Sequence, residues 1–452
     1  MGLKYVEQIK TVVLFILVLL SVTLTFSIWS YRPNYDTIEK PKTVDIVMDD
    51  KKNTEEIIKP YKLIGFSDRT YYGTTNNDAI EDVYNTFKHA KLSNIMMLDE
   101  QASSKKLQQL VTSQDSLTLL FPDEVSLSIF QSILPTTNKK VTGINFTRMT
   151  IALDEAKENK VNVYLASETT KDLYKAKIRL SDAKQFMKHQ LKEIDGYDRY
   201  ENYVTAQNRQ IYVPQNNPSI ATQQYFSRNV IGKVDDFKNA LFTNPKIVKL
   251  SQNQQSNVDK YSDDRSVMTV FKNFYTLNFS NMLGEEETRI SKSHLMANTI
   301  GFINEHGGYT NDYRYKSVDY VNQKVVYQLF MSGLPVEPSS KTMMTEIDVK
   351  WTSGKVATYT RPYYELENIP TDEEKNSVKL QTATTILEAL ERENPKATIV
   401  DLRLGYRMTS EERGTSAVVF TLTPTWYYKV KEEWVEVPAS ISTVGGAVSG
   451  LE

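Results

Sequence analysis

TVVLFILVLLSVTLTFSIWSY, residues 11–31, decides the architecture, because none of these 21 positions carries a charge. As a helix rising ~1.5 Å per residue the run extends about 31 Å, the depth of a bilayer's hydrocarbon core. Thirteen of its residues are Val, Leu, Ile or Phe. At roughly 0.3–0.6 kcal/mol each they favour insertion by about 4–8 kcal/mol before the Ser and Thr costs. The run is therefore expected to be a transmembrane helix, with a short tail of residues 1–10 before it and a large body after it.

The flanks set the expected orientation. Lys4, Lys10 and the terminal amine outweigh Glu7, so the positive-inside rule keeps the tail cytoplasmic and places the body outside the cell membrane. Trp29 and Tyr31 stand where the outer aromatic belt lies and are expected to be interfacial anchors. A cleaved signal peptide would need a shorter apolar core and small residues at the cut. The exit here is Ile28-Trp29-Ser30-Tyr31-Arg32-Pro33, so an uncleaved single-pass anchor is the better reading.

Composition narrows what the body does. The chain has no cysteine in 452 residues, which excludes disulfides, thiol nucleophiles and Cys-ligated metals. A net charge of −2 offers no electrostatic footprint for nucleic acid. With 40% hydrophobic and 24% charged residues the body is ordinary globular material rather than disordered chain. The 27 tyrosines recur in runs such as Tyr359, Tyr363, Tyr364 and Trp426, Tyr427, Tyr428, which suits half-buried sheet faces better than a sugar-binding platform.

Residues 32–44, proline-bearing and charged, read as a stalk. Residues 45–180 read as an N-terminal α/β domain. Its expected strands are 62–66, 95–98, 117–121, 142–153, 161–166 and 173–180, and a helix opens on an Asp78/Glu81 capping box. A segment at 125–134 is helical or extended. A diverged repeat then follows. A helix carrying Met187, Leu191 and Ile194 stops at Gly196-Tyr197, and another carrying Met296, Ile300 and Ile303 stops at Gly308-Tyr309. Each leads to a strand (210–213, 325–330) and then to a helix ending in Asn-Pro-Lys, at 244–246 and 394–396. Each unit closes on an alternating strand, 268–279 or 417–425. The expected fold is α+β: a transmembrane helix, then a multi-domain mixed α/β extracytoplasmic body with antiparallel sheets. Its C-terminal domains, 181–288 and a larger 289–439, share a topology, and the larger has an extra hairpin through Trp351-Thr352-Ser353-Gly354-Lys355. Residues 440–452 read as a loose tail.

No catalytic constellation is legible. His89, His189, His294 and His306 lack metal-ligand spacing, even with Glu285, Glu286 and Glu287 near two of them. No nucleophile elbow, P-loop or dinucleotide fingerprint occurs. The acidic pairs Asp49-Asp50, Asp235-Asp236, Asp263-Asp264 and the Asp372-Glu373-Glu374 run sit at turns and helix starts, where carboxylates favour the helix dipole. The chain is read as having no catalytic, cofactor or metal site. The better candidate is the anchor: Ser21 and Thr25 stand four apart, as do Thr23 and Ser27, so small hydroxyl residues offer a partner helix a close-packing face.

Residues 20–35 carry the pattern LSxxLTxxIWxYxPxY, and in this they resemble the YycH family. The resemblance implies a non-enzymatic regulator that pairs with a smaller YycI-like protein as a heterodimer. With it, the regulator acts on a WalK-type sensor histidine kinase through transmembrane helices, and the output is cell-wall homeostasis. It leaves open whether the kinase is inhibited or activated. Two other readings stand beside it: an extracytoplasmic wall-acting enzyme, and a ligand sensor using a groove between the repeated domains.

Overall fold

Lys62–Ser67 is buried at every position and turns back into Thr70–Thr74 through Asp68 and Arg69, both at positive φ (47° and 62°). Two such residues make the primed turn whose twist matches paired strands. This hairpin lies inside a nine-stranded sheet of the computed structural model. Its order is Lys91–Asp99, Leu173–Arg179, Lys160–Ala166, Asn145–Lys157, Ser116–Ser126, Lys62–Ser67, Thr70–Thr74, Asp198–Val204 and Gln210–Pro214. Every neighbouring pair is antiparallel. The structure describes residues 2–30, 51–112, 115–137, 141–207, 209–228, 230–253, 255–282, 289–340, 343–369, 376–413, 417–431 and 433–443.

The helix expected after Thr74 spans Asn77–Lys88, but its cap is Asn76, whose side chain accepts the Asp78 N–H at 2.8 Å. Asp78 is already the second residue of the helix, so the capping role falls to Asn76, the residue just outside it. At 125–134 the chain stays extended to Ser126 and then forms the short helix Leu127–Phe130. The helix Ser104–Thr112 had no reading in the sequence.

The second sheet has fourteen strands and a less local order. Lys249–Asn253, Val258–Ser262, Ser266–Phe271 and Thr276–Asn281 meander into Lys355–Pro362, then Glu346–Thr352, Lys324–Met331, Leu334–Pro338, Ile399–Arg413, Ala417–Val430, Gln223–Arg228 and Glu367–Ile369. Tyr313–Asp319 pairs with Lys324–Met331, and Glu433–Glu436 pairs with Ala417–Val430. The single strand expected over 268–279 is instead a hairpin. Lys272–Phe274 forms a 3₁₀ turn and Tyr275 takes φ 52°, which reverses the chain. The extra hairpin is present: Ser353 and Gly354, at φ 52° and 70°, join Glu346–Thr352 to Lys355–Pro362.

One continuous core runs through both sheets, from Leu63, Leu119 and Ile151 to Tyr327, Tyr359 and Phe420. The expected tyrosines pack into the interior, with Tyr359 and Tyr364 0% exposed and Tyr363 and Tyr427 3%. A second core forms where the helix Ala383–Glu393 sets Ile386, Leu387 and Leu390 against Ile211 and Val213 of the first sheet and Leu402 and Trp426 of the second. The sheets are thereby joined through side chains from both.

The N-terminal run forms its own unit, Met1–Thr43, containing the helix Gly2–Ser30. Its described side chains, Lys10 and residues 12–25, are exposed. Among the described residues no helix is long and apolar enough to cross a membrane. The stalk at 32–44 and residues 444–452 of the expected tail lie outside the described residues, but the tail's first residues are not loose: they belong to the helix Ala439–Ser442, where Ser442 is buried and its carbonyl accepts the Gln381 N–H at 2.9 Å.

Candidate functional site

On the N-terminal helix the hydroxyls turn inward to their own backbone. Thr23 Oγ1 donates to the Leu19 and Leu20 carbonyls at 2.9 Å, and Thr25 Oγ1 to the Ser21 carbonyl at 2.8 Å. Back-bonding of this kind satisfies the hydroxyls without a partner and leaves small, apolar-compatible surfaces. At ~100° per residue, Ser21 and Thr25 share one face, and Thr23, with position 27 after it, falls on nearly the opposite one. The helix therefore presents two short strips of small residues rather than one stripe. The side chains of Ser27 and Trp29, and all of Tyr31, lie outside the described residues.

The other sequence candidates are spread over the fold. His189 meets Asp82 at 3.0 Å, His294 Nδ1 lies 2.7 Å from the Ser291 hydroxyl at a helix start, and His306 stacks on Phe302 at 4.2 Å. Asp263 accepts the Arg265 and Ser266 amides, at 2.8 and 2.7 Å, inside a turn, and Asp235 pairs with Lys238 at 2.8 Å. Asp49-Asp50, residues 285–287 and residues 372–374 lie outside the described residues.

What the sequence did not single out is a charged cleft where the two sheets meet. A cavity of about 320 Å³ has Lys62, Arg148 and Tyr212 on one side and Asp401, Arg403 and Trp434 on the other. It adjoins a larger one of about 920 Å³ that shares Tyr61, Lys62 and Arg403. Tyr61 donates to Asp401 Oδ2 at 2.8 Å, and Lys62 Nζ donates to the Tyr212 carbonyl at 2.9 Å and stands 4.0 Å from Asp401 Oδ1. Burial pulls the Lys62 ammonium below its ordinary range against the opposing pull of Asp401. Burial, then Asp401, pushes the Tyr61 phenol well up.

Arg403 is held from behind. Its Nη2 donates to Glu337 Oε1 at 2.6 Å and to Gln328 Oε1 at 3.3 Å, while its guanidinium lies 3.8 Å from the centre of the Trp434 ring. Across the cavity Arg148 pairs with Glu168 at 2.6 Å. Burial works against the Arg148 charge, but Glu168, Tyr212 and Tyr61 together outweigh it and its pKa is raised. Asp123 anchors the junction by accepting the Val318 N–H at 3.0 Å, and burial raises its carboxyl. Tyr61 and Asp401 are 340 positions apart, so no spacing rule finds this site. The available signal was local: in Asp401-Leu402-Arg403-Leu404 two charges alternate with two leucines inside a strand, which places charge on one buried face.

The sequence model of the YycH protein N-terminal domain matches residues 7–195, and that of the YycH protein C-terminal domain matches residues 208–443. The two-component system WalR/WalK regulatory protein YycH of Bacillus subtilis (strain 168) is 21% identical over 458 residues, covering 99% of this chain and 99% of the relative. The crystal structure of YycH from Bacillus subtilis superposes with a TM-score of 0.71 at 18% identity, over 87% of this chain and 99% of that one, a likeness of fold. An uncharacterized protein from Eubacterium rectale reaches a TM-score of only 0.34 at 9% identity over 54% of this chain and 90% of that one, too low to carry an argument.

Proposed function

The chain belongs to the YycH family, and from that premise we propose that it is a non-enzymatic, membrane-anchored regulator of a WalK-type sensor histidine kinase, acting in a heterodimer with a YycI-like partner. In this reading residues 11–31 cross the cell membrane once, residues 1–10 are cytoplasmic, and a stalk at 32–44 carries the body outside. Ser21, Thr23, Thr25 and Ser27 face partner helices, and Trp29 and Tyr31 sit at the outer interface. The output is cell-wall homeostasis.

The observation that carries the reading is end-to-end likeness, over 99% of both chains, to a relative named as a WalR/WalK regulatory protein. The uncharged run at 11–31 supports the anchor. The mechanism is a coupling free energy. A complex that contacts the kinase differently in its two signalling states shifts their ratio by that difference, and ~1.4 kcal/mol already gives tenfold.

The test is crosslinking in native membranes, with the full chain and with a chain whose residues 11–31 are replaced by an unrelated transmembrane helix. Capture of a sensor kinase and a smaller related protein, lost on the swap together with the effect on kinase output, is expected. Kinase output unchanged by the swap would reject the helix as the coupling element.

A further inference from the structure

The larger cavity, of about 920 Å³, is a cleft whose walls are held apart by three sets of contacts. Gly333 meets Thr75 so closely that a Cβ there would stand 2.6 Å from the Thr75 carbonyl oxygen, and Gln223 donates to the neighbouring Ser332 hydroxyl at 3.0 Å. Tyr61 donates to Asp401 at 2.8 Å. Asn217 donates to the Leu380 carbonyl at 3.0 Å, and the Pro218 carbonyl accepts the Leu380 N–H at 2.9 Å. Facing elements otherwise pack with few voids larger than a water molecule. An opening of this size kept by fixed struts is therefore a built feature, and its rigidity lowers the ordering cost of whatever enters.

The lining divides by burial. Tyr200, Leu334, Tyr406 and Trp426 are each at most 8% exposed and form an apolar and aromatic base. Asp78, Asp198, Asn216 and Ser219 are exposed and Thr75 is half-buried, which makes a polar rim. None of these five side chains has a hydrogen bond or ion pair among the described residues. Carboxylates only accept, whereas the hydroxyls and the amide both donate and accept. An occupant that satisfies this rim must bring several O–H groups, and to cover the base it must also present C–H surface. Thr70–Thr74, Asp198–Val204, Leu334–Pro338 and Ile399–Arg413, the strands of the walls, are each paired on both sides, so they offer no backbone edge to an extended peptide.

We propose that this cleft binds a short carbohydrate chain, its hydroxyls met by Asp78, Asp198, Asn216 and Ser219 at the rim and its C–H faces lying over the base. A sugar hydroxyl donates and accepts at once, which is what paired carboxylates, amides and hydroxyls require of it. Aromatic rings supply large contact area to the apolar face of such a molecule. The volume of about 920 Å³ equals about thirty water molecules at ~30 Å³ each. It falls within the ~300–1,000 Å³ of small-molecule sites, with room for roughly two or three sugar rings. The site needs nothing from the kinase reading and stands or falls apart from it.

The experiment measures thermal stabilisation and calorimetric binding with the full chain in an amine-oxide detergent, so that no sugar head group competes. The probes are cellotriose, triacetylchitotriose and, as a non-sugar donor that carboxylates would also attract, spermidine. A saturable rise in Tm with at least one trisaccharide is expected, the two sugars telling whether the site takes plain or acetamido rings. Asp78→Asn and the double variant Asp198→Ala/Asn216→Ala should each weaken binding at least tenfold. The double variant changes only exposed side chains, so it keeps the test decisive if Asp78→Asn disturbs the start of its helix. Binding of spermidine alone, no saturable effect with either sugar, or undiminished sugar binding in the folded double variant would overturn the proposal.

Discussion

Arg361 is 0% exposed, and its partners are neutral acceptors. Nη1 donates to the Gly308 carbonyl at 2.6 Å and the Tyr359 hydroxyl at 2.7 Å, Nη2 to Thr310 Oγ1 at 3.0 Å, and Nε to the Pro362 carbonyl at 3.0 Å. The guanidinium also lies 4.5 Å from the centre of the Phe237 ring. One side chain thus ties the turn after the helix Lys292–Glu305, the strand Lys355–Pro362 and the helix Val230–Leu241. Charge-assisted hydrogen bonds contribute roughly 1.5–3 kcal/mol each, and a point-charge ammonium cannot span the same fork. Arg361→Ala is expected to destabilise by about 3–5 kcal/mol, and Arg361→Lys by more than half as much, read as shifts in urea midpoint. A Lys variant equal to the native chain would show that charge alone, not the fork, is what the site needs. At this scale the sequence is weakly legible. The tyrosines around Arg361 announce a sheet, but nothing in Thr360-Arg361-Pro362 marks a buried cation, because two of its four acceptors, Gly308 and Thr310, come from residues about 50 positions away.

The helix Ala183–Asp195 shows what periodicity does and does not reveal. Its existence was legible, and so was Ile194 as a buried residue. The stripe was rotated, however: the buried positions are Ala183, Phe186, Gln190 and Ile194, while Met187 and Leu191 are half-buried. Gln190 hides in that stripe because its amide donates to Asp82 Oδ2 at 2.8 Å, a partner no hydrophobic pattern can see. The helix docks on the first sheet through a missing side chain: a Cβ on Gly65 would stand 2.5 Å from Ile194 Cγ2. Gly65→Ala should therefore overpack the contact and destabilise by about 1–3 kcal/mol. Ile194→Ala alone should cost about 2–5 kcal/mol. In the double variant the new methyl partly fills the space, so its loss should fall short of the sum of the two. Additive urea midpoints would mean that the helix approaches the strand at some other point.

Which strands share a sheet is decided at the scale of the whole molecule, and there the sequence was least informative. Asp198–Val204 and Gln210–Pro214 follow a helix that resembles the one at Lys292–Glu305, yet they complete the first sheet beside Thr70–Thr74. Gln223–Arg228, nine residues after Pro214, enters the second sheet between Ala417–Val430 and Glu367–Ile369. Local pattern fixes that a segment is a strand, but pairing depends on partners as distant as Val419 from Phe226. The family boundary between 195 and 208 likewise falls within the run of chain that builds one edge of the first sheet. Gly333, at φ +80°, brings its backbone so close to the first sheet's end that a Cβ would stand 2.6 Å from the Thr75 carbonyl oxygen. With one core running through both sheets, the body should unfold as one unit, since domains that melt separately need cores of their own. Intrinsic probes divide the molecule for this test. Of the four tryptophans, Trp351, Trp426 and Trp434 lie in the second sheet and none lies in the first. Fluorescence therefore reports the second sheet and, through Trp426 against Ile211 and Val213, its junction with the first, while far-ultraviolet circular dichroism reports both. Coincident urea curves are expected. A dichroism curve in two steps, with fluorescence changing only in part at the first as Trp426 loses Ile211 and Val213, would mean that the first sheet melts alone and that the shared core does not couple the halves.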